Sequence, residues 1–157
     1  MTRNVVGPLE MINSTMDSKQ YMRILERRLL PFASKTLPQR WLYYQDNSPV
    51  HTSRLMMGSV VRLSNGGRVR FPGWFAINGV SLIKTPPFSP DLNVIENLWS
   101  IVKTKLREKH FTSKIELWYY LRLVWNQIGS SVLHDLVDSM PRRIKKAIRV
   151  KGGSIDY

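Results

Sequence analysis

Two carboxylates, each placed beside a rigid turn, mark where this chain could do chemistry. Asp46 lies in Gln45-Asp46-Asn47-Ser48-Pro49-Val50-His51-Thr52-Ser53, and Glu96 lies in Ser89-Pro90-Asp91-Leu92-Asn93-Val94-Ile95-Glu96-Asn97-Leu98-Trp99. Carboxylate oxygens are the ligands of hard divalent cations, and Mg²⁺ typically takes one or two of them and keeps several waters. Such ions support in-line phosphoryl transfer. Asp46 follows an apolar, aromatic run at 41–44 that reads as a buried strand, and ligands of open α/β sheets bind at the carboxyl ends of strands. Asn47 is placed to orient a carboxylate or a water, and His51 to relay a proton or contact a phosphate.

Both acids also have simpler readings. Asp46 can close the turn at Asn47-Ser48-Pro49, and Asn93 with Glu96 has the spacing of a helix capping box. Glu96 nonetheless lies off the apolar stripe of its helix, in the first turn. Asp91, next to Pro90, reads as a turn former and Asp17 as a helix N-cap; His110 and His134 lack ligand spacing and read as structural or solvated.

The elements that must position these residues follow from period and punctuation. A short strand is expected at 5–12, interrupted by Gly7-Pro8. A helix should start at Asp17, with Tyr21, Ile24, Leu25 and Leu29 at helical spacing, and run up to Pro31. Residues 52–57 begin a helix that the Gly-, Ser- and Arg-rich segment 58–73 breaks. Residues 74–77 are helical again, Asn78-Gly79 turns, and 80–83 is a second buried strand. After the Pro-rich loop that follows, the chain is helical to its end. Ile95, Leu98, Trp99, Val102 and Leu106 form one stripe; Ser113 with Glu116 is a capping box before Leu117, Leu121, Val124, Trp125 and Ile128; Leu133, Leu136, Val137 and Met140 form a third, closed by Pro141. Beyond it, Arg142, Lys145, Lys146 and Arg149 share one face and Ile144, Ala147 and Ile148 another.

Composition bounds the partners. The 157 residues suffice for one domain with a core, and an apolar fraction of 43% is that of a globular chain. Lys and Arg outnumber Asp and Glu by 24 to 11, a formal charge of +13. That points to a polyanion, nucleic acid before any membrane surface. Six basic residues fall within 142–151, and Arg142, Arg143, Lys145, Lys146 and Arg149 are expected to contact phosphates. Cysteine is absent, which excludes disulfides and thiolate metal sites. No apolar run approaches the roughly 20 residues that span a bilayer, and the start has no secretory signal. Neither a Walker-type phosphate loop nor a Gly-x-Ser-x-Gly elbow is present.

The Gln45-Asp46-Asn47 and His51-Thr52-Ser53 segments, the Ser89-Pro90-Asp91-Leu92-Asn93 and Ile95-Glu96-Asn97-Leu98-Trp99 segments, and the end from Asp138-Ser139-Met140-Pro141-Arg142-Arg143 through Lys151-Gly152-Gly153 resemble the catalytic domain of mariner-type DDE transposases. The resemblance covers nearly the whole chain apart from 58–73. It implies an α/β, ribonuclease-H-like (integrase-type) mixed sheet with covering helices, incomplete at the N-terminal end. It also implies Mg²⁺ or Mn²⁺ as cofactor, DNA (transposon ends and target) as partner, no membrane, a homodimer within a transposition complex, and a nuclear location. By the motif match Asp46 is the family's second acid and Glu96 its third, catalytic and metal-binding alike.

The family's first Asp lies far upstream of the second, whereas 45 residues precede Asp46 here. The chain is therefore expected to be a partial catalytic domain, 1–157, with an atypical insertion at 58–73 that lengthens the Asp46–Glu96 spacing. Two alternatives stand beside this reading: a catalytically inactive nucleic-acid-binding transposon remnant, and an unrelated basic α/β domain whose two acids are caps.

Overall fold

The computed structural model describes residues 1–157 except Thr85, Phe88, Gly152, Ser154, Asp156 and Tyr157; Gly152, quoted above within a motif, lies outside the described residues. The chain divides into two units, Ile12–Pro87 and Met1–Met11 with Phe88–Tyr157.

In the first unit, helix α1 (Ser18–Ile24) begins where expected, because Asp17 Oδ1 accepts the Gln20 N–H at 2.7 Å. It does not stop at Pro31. A wide π turn (Leu25–Leu29) leads into α2 (Leu30–Thr36), with Pro31 in the first turn of α2. Proline has no N–H to give, and its ring collides with the carbonyl four residues back. A π turn at that point shifts the carbonyls away and lets the helix continue. The helix ends before Leu37, whose extended backbone (φ −101°, ψ 152°) is what the following Pro38 requires.

Strand β1 (Leu42–Tyr43) pairs in parallel with β4 (Ser81–Leu82), Leu42 opposite Ser81 and Tyr43 opposite Leu82. These are the two expected strands, but they are not buried on both faces: Leu42 is 64% exposed, while Tyr43 packs inward. Helix α3 (Arg54–Met57) and helix α4 (Trp74–Ile77) flank an antiparallel hairpin of β2 (Gly58–Arg62) and β3 (Arg68–Pro72). The segment 58–73, which showed no period, is therefore a regular two-stranded ribbon. Its period escaped notice because neither face is buried: from Val60 to Pro72 every residue is exposed.

Tyr21, Leu25, Met56, Trp74, Phe75 and Val80 form this unit's core. Met56 is fully buried, and the Trp74 indole N–H donates to Glu26 Oε1 at 3.0 Å.

In the second unit the expected strand at 5–12 is absent. Residues 5–12 form no ladder; instead Gly7 offers its carbonyl to the Trp125 indole N–H at 2.8 Å, and Pro8 has no N–H to pair. A 3₁₀ turn (Pro90–Leu92) precedes α5 (Val94–Arg107), followed by α6 (Lys114–Asn126), α7 (Ser130–Asp138) and α8 (Met140–Arg149). The α5 stripe is borne out in full: Leu98 and Val102 are fully buried, with Ile95, Trp99 and Leu106 packed around them. Trp99 stacks on Trp125 of α6 at 5.0 Å. Leu117 departs from its expected stripe and is 37% exposed.

The Ser113 cap forms, its Oγ accepting the Glu116 N–H at 3.1 Å, but the box closes differently. Glu116 reaches past Ser113 to the Thr112 N–H and hydroxyl, each at 3.0 Å. Those bonds hold the Glu116 carboxyl below its ordinary pKa. Among the described residues no helix is long and apolar enough to cross a membrane.

Candidate functional site

Asp46 sits three residues beyond β1, on the loop leaving the carboxyl end of the parallel pair. The turn closure expected of Asp46 forms. Oδ1 accepts the Ser48 N–H at 3.1 Å, the expected turn closure, and also contacts His51 Nδ1 at 2.5 Å. An ionised carboxylate only accepts, so the proton of this contact is carried by Nδ1. The Asp46 side chain is 61% exposed while that of His51 is 18% exposed. Oδ2 has no partner among the described residues.

His51 is held from behind. Its ring lies 4.2 Å from that of Tyr21, and its backbone carbonyl faces Gln45 Nε2 at 3.5 Å. The Tyr21 hydroxyl donates to Gln45 Oε1 at 2.8 Å and, its one proton spent there, accepts from Tyr43 at 3.2 Å. Burial raises the pKa of both phenols, and the negative charge of Asp46 adds to the rise. Both stay neutral donors across the physiological range. Sequence reasoning placed Tyr21 in an apolar stripe and missed its polar end. The available signal was its type, since a buried tyrosine hydroxyl usually finds a partner. Asn47, expected to orient the carboxylate or a water, is exposed beside Asp46.

In the other unit Glu96 is the third residue of α5 and exposed. The capping box is not formed: the Asn93 side chain makes no cap bond, and the link is only from the Glu96 N–H to the Asn93 carbonyl at 3.0 Å. The Glu96 carboxylate thus has no competing structural bond among the described residues. Asp91 is the expected turn former: its Oδ2 accepts the Ile155 N–H at 3.3 Å, and its carbonyl accepts from Arg143. Asp17 is the expected cap. His110 is exposed, and His134 Nε2 lies 3.1 Å from Asn4 Oδ1. Among the described residues no group of three or more His, Asp or Glu is placed to hold a metal ion.

The basic segment splits. Arg142, Lys145, Lys146 and Arg149 are exposed on α8, their helical spacing placing them on one face. Arg143 corrects the expectation of a phosphate contact: it is 4% exposed, with Nε donating to Ser139 Oγ at 2.7 Å and Nη1 to the Asp91 carbonyl at 2.8 Å. A buried guanidinium must spend its donors internally, so Arg143 ties α8 to the turn before α5.

An exposed carboxylate past a parallel strand pair stands where open α/β sheets bind ligands, and the fold of this α/β chain is ribonuclease-H-like. The solved catalytic domain of Mos1 transposase shares this fold, with a TM-score of 0.73 over 92% of this chain and 67% of that one at 17% identity. The Mos1 mariner paired end complex matches at TM-score 0.71 over 92% of this chain and 39% of that one.

The chain belongs to the DDE superfamily endonucleases, whose profile matches residues 7–118. It is 35% identical over 152 residues to the transposable element Tcb1 transposase of Caenorhabditis briggsae, covering 97% of this chain and 50% of that protein. It is 33% identical over 156 residues to the Tc1 transposase of Caenorhabditis elegans, covering 99% and 52%. The chain spans about half the length of the curated relatives it matches. Membership sets aside the reading of an unrelated basic domain.

Proposed function

We propose that Asp46 and Glu96 are the second and third acids of a DDE transposase catalytic domain. The ancestral chemistry is then Mg²⁺- or Mn²⁺-dependent cleavage and strand transfer of DNA in cut-and-paste transposition. The observation that carries this reading is the family match across residues 7–118, which contains both acids in their motifs. The chemistry of the donor set supports it: both carboxylates are exposed, and Asp46 Oδ2 and the Glu96 carboxylate offer hard oxygens with no partner among the described residues, as a Mg²⁺ or Mn²⁺ ligand requires. The Mos1 catalytic domain was solved with Mg and with Mn, and the Mos1 paired end complex with Mn.

A bound cation would activate a water or a 3′-hydroxyl and offset charge at the phosphate. The chain's own residues do the rest. Asp46 Oδ1 is pinned by Ser48 and His51, so Oδ2 is presented in one orientation. The Nδ1 contact with Asp46 leaves His51 Nε2 as the ring nitrogen that can meet a water or a phosphate. Arg142, Lys145, Lys146 and Arg149 position a duplex through its phosphates. A homodimer within a transposition complex and action in the nucleus belong to the same proposal. So does the segment 58–73 as an insertion. A Cβ on Gly73 would lie 2.2 Å from Gly58 N, so the ribbon leaves and rejoins the domain at nearly one point.

Mn²⁺ titration of the wild type, Asp46→Asn and Glu96→Gln tests the assignment. Each substitution should weaken binding, and equal binding by all three would reject it. A second reading, the catalytically inactive nucleic-acid-binding remnant, is favoured by there being no cluster of three or more His, Asp or Glu able to hold a metal ion among the described residues. Under it the purified chain leaves transposon-end DNA uncut in Mg²⁺, and salt-sensitive DNA binding survives Asp46→Asn. Mg²⁺-dependent cleavage by the wild-type chain, lost in Asp46→Asn, would overturn it.

A further inference from the structure

The hairpin 58–72 carries a charge pattern that the folded domain does nothing to satisfy. Register pairs Arg62 with Arg68 and Val60 with Arg70, and pairs Val61 with Val69 and Ser59 with Phe71. Directly opposed residues share a face and alternate residues change face. Arg62, Arg68 and Arg70 therefore stand together on one face, and Val61, Val69 and Phe71 on the other. All three arginines are exposed and make no hydrogen bond or ion pair among the described residues. No Asp or Glu occurs anywhere in 58–73.

Like charges directly opposite one another destabilise a strand pair, and an isolated two-stranded ribbon is marginal in water. The turn is nonetheless well made. Leu63 N–H bonds the Gly67 carbonyl at 2.8 Å, the Gly67 N–H bonds Asn65 Oδ1 at 2.9 Å, and Gly66 takes φ +81°. This is a three-residue loop with glycine in the left-handed position, a geometry that twists with the strands.

We propose that this ribbon is a DNA-binding arm, laying its arginine face against the phosphates of a B-form duplex at the major groove. The fit is one of size and charge. A five-residue ribbon is about 17 Å long, and the major groove, about 12 Å wide, admits two strands. Three guanidiniums without acidic partners meet a polyanion with nothing to give up internally, and phosphate supplies the counter-charge that the Arg62–Arg68 pair lacks. Such contacts carry no sequence information, so the arm adds affinity and leaves choice of site elsewhere. The inference rests on the reading of DNA as partner, though it concerns a surface separate from Asp46 and Glu96.

The test measures binding of the full chain to a short labelled duplex by fluorescence anisotropy across a salt series. Two variants accompany the wild type: Arg62→Ser with Arg68→Ser and Arg70→Ser, and the same three positions changed to Lys. Circular dichroism checks that each is folded. The serine variant should lose about tenfold or more in affinity at about 0.1 M salt, and its salt slope should flatten by about two to three units, close to one per phosphate contact. The lysine variant should retain most of both.

A serine variant with wild-type affinity and slope would sink the arm while leaving DNA as the partner. A wild-type chain that does not bind duplex DNA would sink both. If sedimentation instead showed a dimer broken by Val61→Ser with Val69→Ser and Phe71→Ser, and the arginine changes left DNA affinity alone, the ribbon would be a self-association surface and the proposal wrong.

Discussion

At the scale of single residues, the network behind Asp46 makes separable claims. Tyr21→Phe removes a hydroxyl that donates to Gln45 and accepts from Tyr43, so that two part-buried groups each lose one hydrogen bond. It should cost about 1 kcal/mol in urea unfolding. If the network also positions His51, Mn²⁺ affinity should fall in the same variant, whereas a purely structural hydroxyl would leave it unchanged. Arg143 and Arg142 form a contrasting pair, adjacent in sequence yet opposite in role. Arg143→Ala should cost about 2–4 kcal/mol, because it strips donors from Ser139 and the Asp91 carbonyl and opens a buried space. Arg142→Ala should cost under about 0.5 kcal/mol but flatten the salt dependence of DNA binding; the reverse pattern would return Arg143 to the phosphate-contacting set.

At the scale of elements, α1 and the N-terminal peptide are each held by one charged residue. Asp17→Ala removes the α1 cap and should cost about 1 kcal/mol, read from the urea midpoint. The Arg3 fork grips Asp138, Nε to Oδ1 at 2.9 Å and Nη2 to Oδ2 at 2.8 Å, and that hydrogen bond and charge hold the Asp138 carboxyl below its ordinary value. A carboxyl whose folded pKa is depressed contributes stability that is fully present above its unfolded pKa of about 3.9 and lost as pH falls through the folded value. Asp138→Asn should therefore flatten the acid limb of the stability–pH profile below about pH 4. The effect should be small, since both side chains are 52% exposed. An unchanged acid limb would mean the pair is not formed in solution.

At the scale of the whole molecule, the segment 58–73 is the decisive test of organisation. Met56 is fully buried just before the ribbon, and Trp74 and Phe75 just after it are 4% and 3% exposed, yet nothing from Gly58 to Pro72 is buried. Joining Met57 to Trp74 should leave the core packing intact. The deletion variant should unfold cooperatively with a midpoint within a few degrees of the parent, since no core group is lost. Loss of cooperative unfolding would show the ribbon to be integral to the domain.

The α5 stripe, the Asp17 and Ser113 caps and the basic excess were legible in the chain because each depends on local spacing or composition. What sequence by itself determined was this inventory together with the family, which the motifs around Asp46 and Glu96 specify. Tertiary structure alone decided which of several local options each residue took. Asn93 and Glu96 had the spacing of a box yet do not form one; Pro31 reads as a stop yet is carried by a π turn; and Arg143 looks like its basic neighbours yet is consumed by Ser139 and Asp91. The ribbon at 58–72 became visible only through strand pairing, which fixes the faces its arginines and valines occupy. For Arg143 the physical reason is plain: its burial and its bond to the Asp91 carbonyl come from a residue 52 positions away, and no local pattern encodes them.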